Sequence, residues 1–174
     1  MRVLEISSPR RSRASLSLTK LALAGAMALA MTAPSALGQV PQRSGADPWS
    51  AAQLIDPADF ARELAAAKAD SRPTVVYVGF RTLFEGGHVP GATFHGTAST
   101  EAGLASLRAW AASLPRTTDV VVYCGCCPFD RCPNIRPAFV LFRDLGFTRL
   151  RVLVLPKSFA ADWAEKNYPM EKGL

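Results

Sequence analysis

The sequence predicts a single three-layer α/β domain over residues 51–174, a mainly parallel sheet with helices on both faces. Three observations predict it. Thr74-Val75-Val76-Tyr77-Val78, Asp119 to Cys124 and Leu150 to Leu155 are short, rich in β-branched residues and apolar almost throughout. Segments with apolar residues at helical spacing separate them. Gly, Pro and polar residues punctuate the joins. Strands with no polar face need cover on both sides, and strands alternating with helices connect in parallel.

Taken in order, Asp56-Pro57 reads as a helix start, with Asp at the N-cap and Pro at the first helical position. That helix carries Phe60, Leu64 and Ala67 on one face. The first buried strand follows, then a loop through Gly86-Gly87-His88-Val89-Pro90-Gly91-Ala92. A helix from about Glu101 to Ser113 places Leu104, Leu107 and Trp110 at core spacing. The strand from Asp119 runs into a cysteine-rich loop. A helix from Pro137 to Leu145 is stopped by Gly146, and the strand Leu150 to Leu155 leads to a last helix, Ser158 to Lys166, with Phe159 and Trp163. In such folds the chemistry collects in loops at the carboxyl ends of the strands, and Cys124 falls at one of them.

The amino terminus has a different character. Arg2, Arg10, Arg11, Arg13 and Lys20 precede an uncharged apolar run, Leu21 to Met31, and Ala36-Leu37-Gly38 offers a small-residue cleavage site before Gln39. This is the layout of a secretory signal, residues 1–38, and the apolar run is short of the roughly 20 residues a bilayer span requires. Export to the periplasm or the medium is expected, with no stable membrane insertion after cleavage. Residues 39–50 read as a linker. The formal net charge of +6 belongs largely to the signal, since five of its residues are basic and one is acidic, which leaves +2. That balance, without a basic stripe and interleaved aromatics, argues against nucleic acid as a partner.

All four cysteines, Cys124, Cys126, Cys127 and Cys132, fall within one short stretch. They cannot staple distant segments, so they point to redox chemistry, a metal or a local brace.

Several segments carry a resemblance. Gly87-His88-Val89-Pro90-Gly91-Ala92 is similar to the G-H-[IV]-P-G-A segment of rhodanese-like domains. Val121-Val122-Tyr123-Cys124 resembles the strand that delivers that family's catalytic cysteine, and Leu145-Gly146-Phe147 with Trp163 resembles its closing strand and helix. The chain departs from the family in three places. The Asp-x-Arg common after an early strand reads Gly79-Phe80-Arg81, and a Gly-Gly before the last helix is replaced by Pro156-Lys157-Ser158. The active loop, Cys124 to Arg136, is long and resembles an exported subgroup with a C-x-C-C-P…C-P-N-x-R-P pattern.

The resemblance implies a sulfurtransferase or persulfide carrier with Cys124 as nucleophile. A sulfur nucleophile needs positive potential, which backbone N–H groups and a helix start supply. Gly125 would let the backbone wrap the sulfur, and Arg131 and Arg136 are the cations that could hold an anionic donor such as thiosulfate. The expected partners are a small sulfur-containing anion or a thiol acceptor; no resident cofactor is expected, and the oligomeric state is left open. For Cys126, Cys127 and Cys132 three readings stand: a disulfide brace from Cys126 or Cys127 to Cys132, a resolving thiol, or soft ligands for copper or zinc; the alternative to an enzyme is a non-catalytic binding module whose loop is disulfide-braced or holds such a metal. A phosphatase-like Cys-x5-Arg loop fits poorly, because Arg131 is one residue off from either Cys124 or Cys126. His88 is expected to order its loop, His95 to lie at a surface or strand end, and Trp110 and Trp163 to be core.

Overall fold

The computed structural model describes residues 47–174. The expected signal peptide and its cleavage site lie outside them. No helix among the described residues is long and apolar enough to cross a membrane.

Five parallel strands form one sheet in the order β1-β5-β4-β2-β3. They are β1 (Leu54–Ile55), β2 (Thr74–Tyr77), β3 (Thr93–Phe94), β4 (Asp119–Tyr123) and β5 (Arg149–Leu153). The helices are α1 (Pro57–Ala66), α2 (Arg81–Gly86), α3 (Glu101–Ala112), α4 (Ile135–Asp144) and α5 (Phe159–Asp162). The two-residue period of the central strands divides the core. Val76, Val120, Val122 and Val152 face α3 and α4, where Leu107, Phe139 and Phe142 are buried. Val75, Tyr77, Val121 and Tyr123 face the opposite layer, with Phe60 and Leu64 of α1, Phe84 of α2 and Trp163 after α5. This is the three-layer arrangement the unbroken apolar strands require.

The three long strands and α1 and α3 lie within about a residue or two of their sequence-based bounds, the usual scatter of element ends. Four features differ. The edge strands β1 and β3 contain two residues each, too few to show a period. The six residues of α2 fall in a stretch expected to be loop, again too short for periodicity. The helix α4 begins at Ile135 rather than Pro137, because proline is tolerated throughout a first turn whose N–H groups have no helical acceptor. The last helix is broken: α5 ends at Asp162, Trp163 leaves helical geometry, and one 3-10 turn, Ala164–Lys166, follows. Burial of the Trp163 ring, whose Nε1–H donates to Pro169 O at 2.8 Å, outweighs the local helical preference.

Part of the expected linker is docked. The Trp49 ring packs on Phe129 and Phe139, with centroids 5.4 Å apart in both pairs, and Asp47 pairs with Arg136 at 2.7 Å. Residues 47–50 therefore belong to the folded unit, because an indole carries more apolar surface than a free tether would leave in water.

Candidate functional site

The strand β4 ends against the core and delivers Cys124, only 5 % exposed, to the carboxyl edge of the sheet. Gly125 then turns the chain with φ of 80°. A Cβ there would lie 2.8 Å from Phe159 Cβ and 2.9 Å from Leu155 Cδ1, so glycine is required both for its dihedral and for space. The Gly125 carbonyl accepts the Phe159 N–H at 3.0 Å, which ties the loop to the start of α5. From Pro128 the chain makes a 3-10 turn, Phe129–Arg131, and returns Cys132 to the core just before α4.

The four sulfurs converge. Cys124 Sγ and Cys126 Sγ are 3.1 Å apart, and Cys126 Sγ and Cys127 Sγ are 3.3 Å apart. The sulfurs of Cys124, Cys126 and Cys132 all lie within 4.8 Å of one another. All four are free thiols in this structure. Asn134, fully buried at the N-cap of α4, orients the cluster. Its Oδ1 accepts the Ser99 N–H at 2.8 Å, which fixes the amide so that Nδ2 donates toward Cys124 Sγ at 3.5 Å and Cys126 Sγ at 3.6 Å.

The cluster shares its protons unequally. The Cys124 thiol donates to Cys132, and the Asn134 and Ile135 N–H groups at the start of α4 also point to that sulfur; together they pull the Cys132 thiol down to about 5 against the cost of burial. Cys124 is driven upward by donating that hydrogen bond and by burial. The two thiols are thus shifted in opposite directions, Cys124 toward the neutral form and Cys132 toward the thiolate. Burial and the hydrogen bond with Cys126 push Cys127 up to about 12.

A cavity of about 380 Å³ opens beside the cluster, and the sulfur that lines it is Cys126. Gly125 and Cys126 form one side, Tyr77, Thr82 and Leu83 another, and Phe159 and Met170 close it. Cys124, expected as the nucleophile, sits behind Cys126 and does not line the cavity. The two arginines expected to hold an anionic donor are placed elsewhere. Arg136 pairs with Asp47 and lies over the Trp49 ring, 5.4 Å from its centroid. Arg131, with a side chain 80 % exposed, pairs with Asp130 at 3.8 Å beside a separate surface depression that contains Lys157 but no cysteine. Sequence spacing carried both into the loop; the 3-10 turn and the start of α4 aim them outward.

Two residues of the site were missed by sequence reasoning. Asn134 was visible only as part of the loop pattern, and its role needs the loop folded back on the strand. Tyr77 read as an ordinary buried strand residue. Its hydroxyl is buried and makes no well-formed hydrogen bond, alone among buried side-chain polar atoms of the described residues, although the Phe80 backbone N–H points toward it. It fills the space left by Gly79, where a Cβ would overlap Tyr77 Oη, come within 2.7 Å of Cζ and reach 3.1 Å from Cys124 Sγ. The remaining assignments are structural. His88 Nδ1–H donates to Phe84 O at 2.8 Å and its ring stacks on Phe84, which orders the Gly87-to-Ala92 loop. His95 stacks on Trp110 just past β3, and Arg81 pairs with Glu85 at 3.8 Å.

An all-parallel α/β sheet with a sulfur cluster at the carboxyl end of a central strand defines the class: a domain built to present cysteine from a strand-to-helix loop. No protein-family model matches the chain, and no curated protein matches it. Solved structures do. The rhodanese-like domain of an Anabaena sp. protein is 22 % identical, with 69 % of this chain covering 79 % of that one at a TM-score of 0.50. A Bacillus halodurans protein is 20 % identical, with 68 % covering 75 % at a TM-score of 0.52. The chain has the fold of rhodanese-like domains.

Proposed function

We propose that the protein is an exported sulfurtransferase or persulfide carrier, acting in the periplasm or outside the cell, in which the cysteine loop accepts and passes on sulfane sulfur. The observation that carries this reading is a linked set of four free thiols at the carboxyl edge of the sheet, one of them opening on a cavity. In this reading Cys126 is the sulfur that meets the donor and becomes the persulfide. Cys124, the cysteine that the resemblance implies as nucleophile, stands directly behind it. The Cys132 thiolate supplies a base, drawing a proton from Cys126 by way of Cys124 as the donor binds. The Asn134 amide steadies negative charge on Cys126 or Cys124.

The test is persulfide mapping by mass on single serine variants of the reduced protein after a pulse of sulfane donor. Cys126→Ser is expected to abolish loading and Cys124→Ser to slow it while leaving the label on Cys126. Loading that survives in Cys126→Ser and vanishes in Cys124→Ser would return the nucleophile to the strand end.

One observation favours a second reading, a binding module rather than an enzyme. Three sulfurs within 4.8 Å make a soft donor set suited to Cu(I), or to zinc with Cys127 as a fourth ligand. Stoichiometric metal in protein purified without chelator, together with failure to load sulfur, would select it.

A further inference from the structure

The cavity beside Cys126 is walled by Leu83, Phe159 and Met170, with the Thr82 and Ser158 side chains at its margin. Among the described residues that line it there is no Lys, Arg or His. A doubly charged oxyanion such as thiosulfate would meet no cation there at its sulfonate end, whereas an apolar group would gain by covering the half-exposed Leu83 and Met170 side chains. Arg131, Arg136 and Arg81 are each engaged with a carboxylate elsewhere. One polar group inside the site is only partly spent: the Tyr77 hydroxyl, on a residue 2 % exposed, is approached by the Phe80 backbone N–H but makes no well-formed hydrogen bond, and its proton has no acceptor. Its neighbour across the β2–β4 register, Tyr123, accepts the Val89 N–H at 3.0 Å, so burial of a tyrosine here does not by itself prevent pairing. A buried hydroxyl left orphaned costs stability and persists where an absent group completes it.

We infer that the donor is an organic persulfide, R–S–SH, whose apolar R group fills the cavity and whose terminal sulfur is met by Cys126 and by the Tyr77 hydroxyl. The inference rests on the sulfur-transfer reading and names the substrate class for it. The Cys126 thiolate attacks the terminal sulfur. A bond forms between Cys126 Sγ and that sulfur, the donor's own S–S bond breaks, and its electron pair leaves as R–S⁻. The proton on the transferred sulfur travels with it, so the products are Cys126–S–SH and a thiolate, with no external oxidant or reductant. Tyr77 is a positioning residue in this step, donating to the sulfur in flight while the hydrocarbon walls hold R. A volume of about 380 Å³ suits a group of aryl or short alkyl size.

The experiment compares initial rates of Cys126 persulfide formation on the full, reduced chain with benzyl persulfide, thiosulfate and inorganic tetrasulfide. Benzyl persulfide is expected to outpace thiosulfate by roughly 100-fold, the scale of burying one aryl group. Equal or faster loading by thiosulfate, or loading by tetrasulfide alone, overturns the substrate class and leaves sulfur transfer standing. No loading of any cysteine by any of the three overturns both. Tyr77→Phe separates position from packing. Its kcat with benzyl persulfide is expected to fall about tenfold with KM held, as when a hydrogen bond made in the transition state is lost. Its unfolding midpoint should stay level or rise. An unchanged kcat would remove Tyr77 from the step.

Discussion

The two ends of the sheet use polar groups in opposite ways. At the amino end, where β4 and β5 begin, every charge is answered. Arg151 makes a two-pronged contact with Glu63 of α1 at 2.7 and 2.8 Å and reaches Asp119 at 3.1 Å, while Arg149 meets Asp119 at 3.1 Å. The hydrogen bond from Arg151 holds the Glu63 carboxyl below its ordinary range. A surface depression lies among these residues, yet nothing in it is unpaired. At the carboxyl end the Tyr77 hydroxyl makes no well-formed hydrogen bond, the Cys124 and Cys132 thiols are shifted in opposite directions, and the cavity beside them holds no cation among the described residues. Saturated groups hold a fold together; unsaturated ones are where a ligand can still gain something. On that ground we read the depression at the amino end as structural and the cavity at the carboxyl end as the candidate site.

The sharpest way to break the carboxyl end is at Gly125. A methyl group there would meet Phe159 and Leu155 inside 3 Å, on a backbone whose φ of 80° already disfavours it. Gly125→Ala is expected to cost about 3 kcal/mol in urea unfolding, and to lower sulfur loading in the fraction that remains folded. A loss below about 1 kcal/mol would show that the loop relaxes freely and that its geometry is not set by the core.

A smaller effect should appear as a pH dependence. The Cys132 thiol titrates at about 5 in the folded protein and near its ordinary 9.0 when unfolded. Between those values the folded state binds fewer protons, so the contribution of Cys132 to stability rises from pH 5 to pH 9 and is lost as pH falls through 5. Cys124 has the opposite sign: its folded thiol is raised, so its contribution fades as pH climbs past the unfolded value. Thiolate ultraviolet absorbance of the folded chain should show one ionised sulfur at pH 7, missing in Cys132→Ser. Four neutral thiols at pH 7 would overturn the lowered Cys132 thiol.

How far the sequence could lead follows from the range of each signal. The core strands were legible because burial on both faces leaves an unbroken apolar run, and α1 and α3 because their apolar residues repeat. Cys124 was placed correctly at the strand end by the strand itself. What could not be read were contacts made by folding the loop back. Asn134 is ten residues from Cys124 yet touches its sulfur, and Tyr77 enters the site only because Gly79 makes room. Arg131 and Arg136 lay in the right stretch of chain, but direction, unlike position, is decided by the 3-10 turn and the first turn of α4.

The mildest prediction tests the claim that the amino end is structural. Arg151, 24 % exposed at its side chain, bridges α1 to the start of β4. Arg151→Met keeps the aliphatic stem and removes the bridge, leaving Glu63 and Asp119 near one another with only Arg149 to answer them. Both carboxylates retain access to water, so the desolvation penalty of a deeply buried orphan charge does not arise. The loss should be about 1 kcal/mol, smaller at high salt, with kcat and KM for sulfur transfer unchanged. Salt-insensitive destabilisation would mean that Arg151 acts by packing its stem rather than by charge. A change in kcat without a change in fold would mean that the two ends of the sheet are coupled, and the division between a saturated scaffold and an unsaturated site would fail.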